Sequence, residues 1–226
     1  MPQKRSEHSQ VAVAILSRAP LPGQSKTRLI PALGSDGAAE LQRRMMRATV
    51  RSALAAALGP VRLWCAPDTT HPDFAACLEL GPLSLHAQPT GDLGARMLAA
   101  FDRELPTLVI GTDCPDRTPA LLHQAAVALG EVDAVLIPAE DGGYVLIGLR
   151  QPDARLFADL AWGGPRVLDE TRQRLRDCGY RWNELAPLPD VDRPADLDRL
   201  AATHPELLAG HAQLDETAGP IPPPPL

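Results

Sequence analysis

The feature that most constrains the fold is an alternation. Short apolar runs recur along the chain, with helix-patterned segments between them. "VAVAILS" (Val11 to Ser17), "VRLWCA", "LSLHAQ", "TLVIGTD", "DAVLIPA", "GYVLIGL" and "YRWNELAPL" read as strands. Continuous apolar runs of this length suit strands covered on both faces. Between them lie helical patterns. "SDGAAELQRRMMRATVRSALAAALG" (Ser35 to Gly59) is a long helix stopped at Gly59-Pro60. "HPDFAACLEL", "GDLGARMLAAFDREL" and "PADLDRLAATHPELL" follow the same pattern, and "PRVLDETRQRLRDCG" closes on Gly179. "TPALLHQAAVALG" has Thr118 at its N-cap, Pro119 at the first helical position and Gly130 at its end. Such alternation dictates an α/β fold, a mostly parallel sheet with helices on both faces. One link departs from it. Only Glu140-Asp141-Gly142 joins "DAVLIPA" to "GYVLIGL", too short for a parallel crossover, so a local antiparallel pair is expected.

In open sheets of this class ligands bind beyond the carboxyl ends of the strands. The polar clusters of this chain fall there. "RAPLPGQSKTRLIPALG" (Arg18 to Gly34) follows the first strand and carries Arg18, Lys26 and Arg28 among prolines and glycines. It is not a P-loop, because Ser25 rather than Gly precedes the Lys, and G-x-G-x-x-G is absent as well. Its small residues, free backbone N–H groups and the spaced cations Lys26 and Arg28 suit phosphate oxygens, against a bland reading as a solvated basic loop. Asp113 directly follows the fourth strand in "VIGTDCPDRTP". Thr118-Pro119 supplies the next helix start, which leaves Asp113 for another task, and a carboxylate at a strand end suits Mg²⁺ or Mn²⁺. In "DVDRP", Asp190 and Asp192 alternate and so face one way on an extended segment; Asp192 reads equally as a second metal ligand or as a helix cap.

Asp141, Gly142, Gly143 and Tyr144 form the "EDGGY" turn. The glycines make the hairpin and admit a ligand to the backbone, Asp141 can bind sugar hydroxyls and Tyr144 can stack on a ring. In "QPTGDLGARM", Gly91 and Gly94 mark a strand-to-helix junction, with Asp92 as its default N-cap; the exposed backbone there can instead read a nucleobase edge. Trp162, beside Gly163-Gly164, is a core residue or a wall of an acceptor pocket.

Composition narrows the class. The 226 residues are 45% hydrophobic, enough for a core, and the net charge of -6 argues against a nonspecific nucleic-acid binder. The four cysteines, Cys65, Cys77, Cys114 and Cys178, show no zinc spacing and read as reduced core residues. "VAVAIL" is too short for a signal segment and no run spans a membrane, so a soluble cytoplasmic protein, monomer or homodimer, is expected. Residues 1–10 read as a flexible N-terminus, 11–210 as a single domain, and 211–226, with "AGPIPPPPL", as a disordered proline-rich tail.

Taken in order, "APLPGQSKTRL", "GDLGARM", "GTDCPD", "EDGGYVLIGL" and "DVDRPADL" resemble the signature segments of the DUF2064 family of glycosyltransferase-A (GT-A) proteins. Some members of that family are called arsenosugar-biosynthesis glycosyltransferases. It is similar to the guanylyltransferases of cofactor F420 and molybdenum-cofactor biosynthesis. The likeness runs from about Val11 to Leu200. It implies a Rossmann-like GT-A (nucleotide-diphospho-sugar transferase) fold. It implies that Lys26 and Arg28 hold nucleotide phosphates, with Pro22 and Gly23 beside them in the nucleotide-binding loop and Lys26, Arg28 and Asp113 catalytic. Asp113 and Asp192 would hold the metal, Gly91, Asp92, Gly94 and Arg96 would meet the base, and Asp141 to Tyr144 with Trp162 the sugar or acceptor. The chain departs from the family pattern at Arg193 and at Gly163-Gly164-Pro165.

The resemblance puts transfer of a sugar from a nucleotide diphosphate sugar to a small-molecule acceptor first. Beside it stands nucleotidyl transfer from a nucleoside triphosphate, often GTP-like, to a phosphorylated small molecule. The cation-rich first loop, and an Asp113-Cys114-Pro115 that lacks the Asp-x-Asp of many glycosyltransferases, favour the latter. A non-catalytic nucleotide-sugar-binding protein is the reading from another class.

Overall fold

A computed structural model describes residues 10–209. The expected flexible segment, apart from Gln10, and the proline-rich tail lie outside the described residues. Seven strands form one sheet: β1 (Ala12–Arg18), β2 (Val61–Ala66), β3 (Ser84–Ala87), β4 (Thr107–Ile110), β5 (Ala134–Pro138), β6 (Tyr144–Leu149) and β7 (Trp182–Glu184). Their order is β3-β2-β1-β4-β6-β5-β7. All neighbours are parallel except β6, which runs antiparallel to both β4 and β5. The short "EDGG" link therefore does what its length requires.

The period of two along each strand sorts side chains between two cores. Val13 and Ile15 of β1, Leu108 and Ile110 of β4, and Val135 and Ile137 of β5 face one way. There they meet Met46 and Val50 of α1 (Ile30–Ala56), Phe74 of α2 (Pro72–Cys77) and Leu122 and Leu129 of α4 (Pro119–Glu131). Ala14, Val109 and Leu136 face the other way, onto Met97 of α3 (Leu93–Ala100) and Leu168 and Leu175 of α5 (Val167–Asp177). A third cluster places the site. Leu29 and Val191 are packed with Leu41 and Met45 of α1, Leu200 of α6 (Asp196–Thr203) and Leu207 of α7 (Pro205–Leu208). That packing brings the loop after β1 against the segment 190–192.

Several boundaries differ from the sequence reading. The first helix begins at Ile30, and Gly34 (φ 70, ψ 170) breaks it after one turn. The third helix stops at Ala100, not near Leu105: the Asp102 carboxylate accepts from the amides of Glu104 (2.6 Å) and Leu105 (3.2 Å) and also pairs with Arg62. The last helix is two, because Pro205 forces His204 out of helical geometry (φ -138, ψ 58). Thr118 caps its helix as expected, accepting from Leu121, and that helix runs one residue past Gly130. No helix among the described residues is long and apolar enough to cross a membrane.

Candidate functional site

A cleft of about 800 Å³ opens at the carboxyl ends of β1 and β4. One wall is ionic. Lys26 starts a 3₁₀ turn (Thr27–Leu29) from a left-handed backbone (φ 49, ψ 41), a conformation that costs a non-glycine residue on the order of 1 kcal/mol. Its side chain is only 4% exposed and its Nζ lies 2.6 Å from Asp113 Oδ1, on a carboxylate that is half exposed. The same ammonium donates to the Val191 carbonyl at 2.5 Å. The Val191 amide in turn donates to the Asp113 carbonyl at 2.8 Å. Two residues on, Arg28 pairs with Asp192. Ser25 anchors this loop from inside, donating to the carbonyls of Ala19 (2.9 Å) and Leu21 (3.0 Å).

The helix-cap reading of Asp192 fails. The residue before α6 is Ala195 and no side chain caps the helix; instead the Asp196 carboxylate accepts from the amides of Asp192 (2.9 Å) and Arg193 (2.7 Å) and holds the preceding segment. Asp192 is left to face Arg28. Asp190 also lines the cleft, half-buried. Burial first, then the negative charges of Asp141, Asp113 and Asp192, push its pKa up.

The opposite wall is built by close approach. Asp92 does cap α3, accepting from Ala95 at 2.8 Å. Gly94 sits beneath Trp162: a Cβ there would stand 2.9 Å from the indole ring and 2.7 Å from the Phe157 carbonyl oxygen. Gly142 (φ 93) lets the "EDGG" turn lie on Pro165, whose carbonyl oxygen a Cβ would overlap, while the Gly142 carbonyl accepts from Leu168 at 2.9 Å. Asp141 accepts from the Gly143 amide at 2.9 Å, and the Tyr144 hydroxyl reaches Met97 Sδ at 3.9 Å. Burial pushes the Tyr144 phenol well above its ordinary range. Among the described residues, Trp162 Nε1 and Arg96 Nε are buried without a hydrogen-bond partner.

Lys26, Arg28, Gly91, Asp92, Arg96, Asp113, Asp141, Gly143, Tyr144, Trp162 and Asp192 thus all line one cleft. Gly94 and Gly142 lie behind the wall that they shape, and Pro22 and Gly23 form the turn of the first loop outside the lining. Sequence reasoning missed the braces. Gln42 of α1 donates to Thr112 Oγ1 (3.2 Å) and the Arg18 carbonyl (3.4 Å), tying the ends of β1 and β4 together. A lone amide among Ala38, Leu41, Met45 and Met46 was the signal for it. Gln88 joins β1 to β2 through the Ser17 (3.1 Å) and Trp64 (2.8 Å) carbonyls. Arg117 is 3% exposed and donates to the Gly111 (2.6 Å) and Val145 (3.4 Å) carbonyls, bridging the ends of β4 and β6; burial lowers its pKa. Nothing in "DCPDRTP" announces a buried arginine.

Among the described residues no group of three or more His, Cys, Asp or Glu side chains is placed to hold a metal ion. Asp113 and Asp192 nevertheless fit Mg²⁺ or Mn²⁺ in chemistry, since such ions take one or two protein carboxylates and fill the rest of their shell with water and phosphate. Cys114 does not join them. Its thiol is buried, and burial pushes its pKa up to about 11.

The sequence profile of a family described as "Uncharacterized protein conserved in bacteria (DUF2064)" matches residues 49–164. No curated protein matches the chain at a significant level. Among solved structures, a Desulfovibrio desulfuricans G20 protein provisionally described as a nucleotide-diphospho-sugar transferase is 29% identical, with a TM-score of 0.75 over 87% of this chain and 89% of that one. A nucleotidyl transferase from Methanothermobacter is 15% identical, with a TM-score of 0.58 over 84% and 95%. A 4-diphosphocytidyl-2C-methyl-D-erythritol synthase from Anaerococcus prevotii is 12% identical, with a TM-score of 0.55 over 85% and 97%. The last two share the fold alone. That fold is the Rossmann-like one of the nucleotide-diphospho-sugar transferases.

Proposed function

The chain belongs to the DUF2064 family, and from that premise we propose that it is a transferase acting at the diphosphate of a nucleotide, using a nucleotide diphosphate sugar and a small-molecule acceptor. The observation that carries this reading is the ionic wall: two cations interlocked with two carboxylates at the carboxyl ends of β1 and β4. Lys26 and Arg28 bind the diphosphate oxygens and stabilise the charge that grows there as the sugar–phosphate bond breaks. Asp113 and Asp192 would hold Mg²⁺ or Mn²⁺, which would supply positive charge against the leaving diphosphate. The junction from Gly91 to Arg96 meets the base. Asp141 and the Gly143 backbone orient sugar or acceptor hydroxyls, and Tyr144 and Trp162 give that side an apolar floor and exclude water.

One observation favours a second reading, nucleotidyl transfer with pyrophosphate release. Pro115 stands where the second carboxylate of an Asp-x-Asp ligand pair would be, which leaves Asp113 without that neighbour. A single assay separates the two. The protein is incubated with Mn²⁺, one nucleotide sugar or one nucleoside triphosphate at a time, and a mixed panel of acceptors. Free nucleoside diphosphate from a sugar donor is the expected result. Pyrophosphate from a triphosphate replaces it with the second reading. Neither product, together with a nucleotide-induced rise in melting temperature, leaves a binding protein.

A further inference from the structure

The groups that the proposed function assigns to phosphate and to metal are bound to each other. Lys26 Nζ lies 2.6 Å from Asp113 Oδ1, and Arg28 is on Asp192. The Lys26 contact is the more enclosed of the two. Its side chain is 4% exposed, and its ammonium is shared between Asp113 and the Val191 carbonyl at 2.5 Å. The Val191 amide closes the ring onto the Asp113 carbonyl. Three segments distant in sequence therefore meet at one ammonium: the first loop, the end of β4 and the segment 190–192. A cation that joins the ammonium on this carboxylate must meet its charge at close range, and an ammonium committed to two acceptors has one N–H left for a phosphate.

We propose that Lys26 holds the cation position of Asp113 until a diphosphate draws it away, so that divalent-metal binding is conditional on the nucleotide. This rests on the reading of the cleft as a nucleotide-diphosphate site. The exchange conserves charge. Lys26 leaves one carboxylate for phosphate oxygens, which offer a doubly charged and more exposed acceptor, and the metal replaces the ammonium on Asp113. Coupling of this kind is reciprocal: whatever frees Asp113 favours metal, and whatever frees Lys26 favours diphosphate.

The test uses the full chain and two simple probes. Mn²⁺ alone is titrated and its free fraction followed by electron paramagnetic resonance. Inorganic pyrophosphate is titrated separately by calorimetry without metal. Lys26→Met should tighten Mn²⁺ about tenfold and weaken pyrophosphate, and Asp113→Asn should tighten pyrophosphate several-fold. Arg18→Met and Asp141→Asn remove the same charges from the same cleft without touching the pair, and should have less than about half of those effects on a logarithmic scale. Circular dichroism melts confirm that each variant folds. Unchanged Mn²⁺ affinity in Lys26→Met, unchanged pyrophosphate affinity in Asp113→Asn, or controls as large as the test variants would each overturn the exchange. If the wild type binds pyrophosphate and Lys26→Met does not tighten Mn²⁺, the exchange is wrong while the nucleotide reading stands. If neither protein binds pyrophosphate and neither binds Mn²⁺, both are wrong.

Discussion

The two walls of the cleft satisfy their polar groups in opposite ways. On the wall formed by β1, β4 and the segment 190–192, Lys26 meets Asp113 and Arg28 meets Asp192. On the wall formed by α3, the "EDGG" turn and the loop before α5, Trp162 Nε1 and Arg96 Nε have no partner among the described residues, and glycines set the spacing. On the first wall a ligand must compete with a partner already in place. The second is set by shape: glycines admit Trp162 and Pro165 to close backbone contact. Each kind of change should therefore register in its own place: charge removal on the first wall in chemistry, added volume on the second in stability.

The largest effect should come from Asp113→Ala. Losing that carboxylate should lower turnover by about 10³-fold, the scale of one lost electrostatic group at a reacting centre. The melting temperature should also fall, because the Lys26 ammonium, on a side chain 4% exposed, is left with the Val191 carbonyl and no counter-charge. A variant with near-normal turnover would take Asp113 out of the site. Next is Gly142→Ala on the other wall. A Cβ there overlaps the Pro165 carbonyl oxygen and must also adopt φ 93. Overpacking and strain together should cost about 3 kcal/mol in denaturant unfolding. A loss under about 0.5 kcal/mol would mean that the turn is not seated on Pro165.

These walls were not equally legible in the sequence. Lys26, Arg28, Asp113 and Asp192 stand out because charged residues in short loops after apolar strands have few structural excuses. Their pairing with each other was invisible, since it depends on Leu29 and Val191 being packed into one cluster by α1, α6 and α7. The alternation of strands and helices fixes the sheet, and the shortness of "EDGG" fixes its one reversed strand. Helix ends were poorer, because side chains such as Asp102 and a following Pro205 override the apolar pattern. The buried Arg117 had no signal, since its partners are carbonyls at the ends of two strands.

A smaller effect probes the excess of negative charge on the ionic wall. Asp190 has its pKa raised by burial and then by the charges of Asp141, Asp113 and Asp192. The folded state therefore holds a proton more tightly than the unfolded chain does. This group favours folding at low pH, and that contribution is lost as pH rises from the unfolded value, about 3.9, through the folded one. Asp190→Asn should raise the melting temperature at pH 7, and the gain should vanish near pH 3. A gain that persists at pH 3 would assign the effect to packing rather than charge.

Trp162→Phe should have the smallest effect, and it sharpens the contrast between the walls. The indole N–H is buried with no acceptor, so its removal relieves a penalty of about 1–3 kcal/mol while forfeiting ring area of similar worth. Stability should stay within about 1 kcal/mol of wild type. Substrate should tell the difference. If the indole is an unused donor aimed at the ligand, KM for the nucleotide or acceptor rises while kcat holds, because a contact made equally in ground and transition states is lost. If stability falls by about 2 kcal/mol or more instead, Trp162 Nε1 has an acceptor within the fold, and the second wall is as self-satisfied as the first.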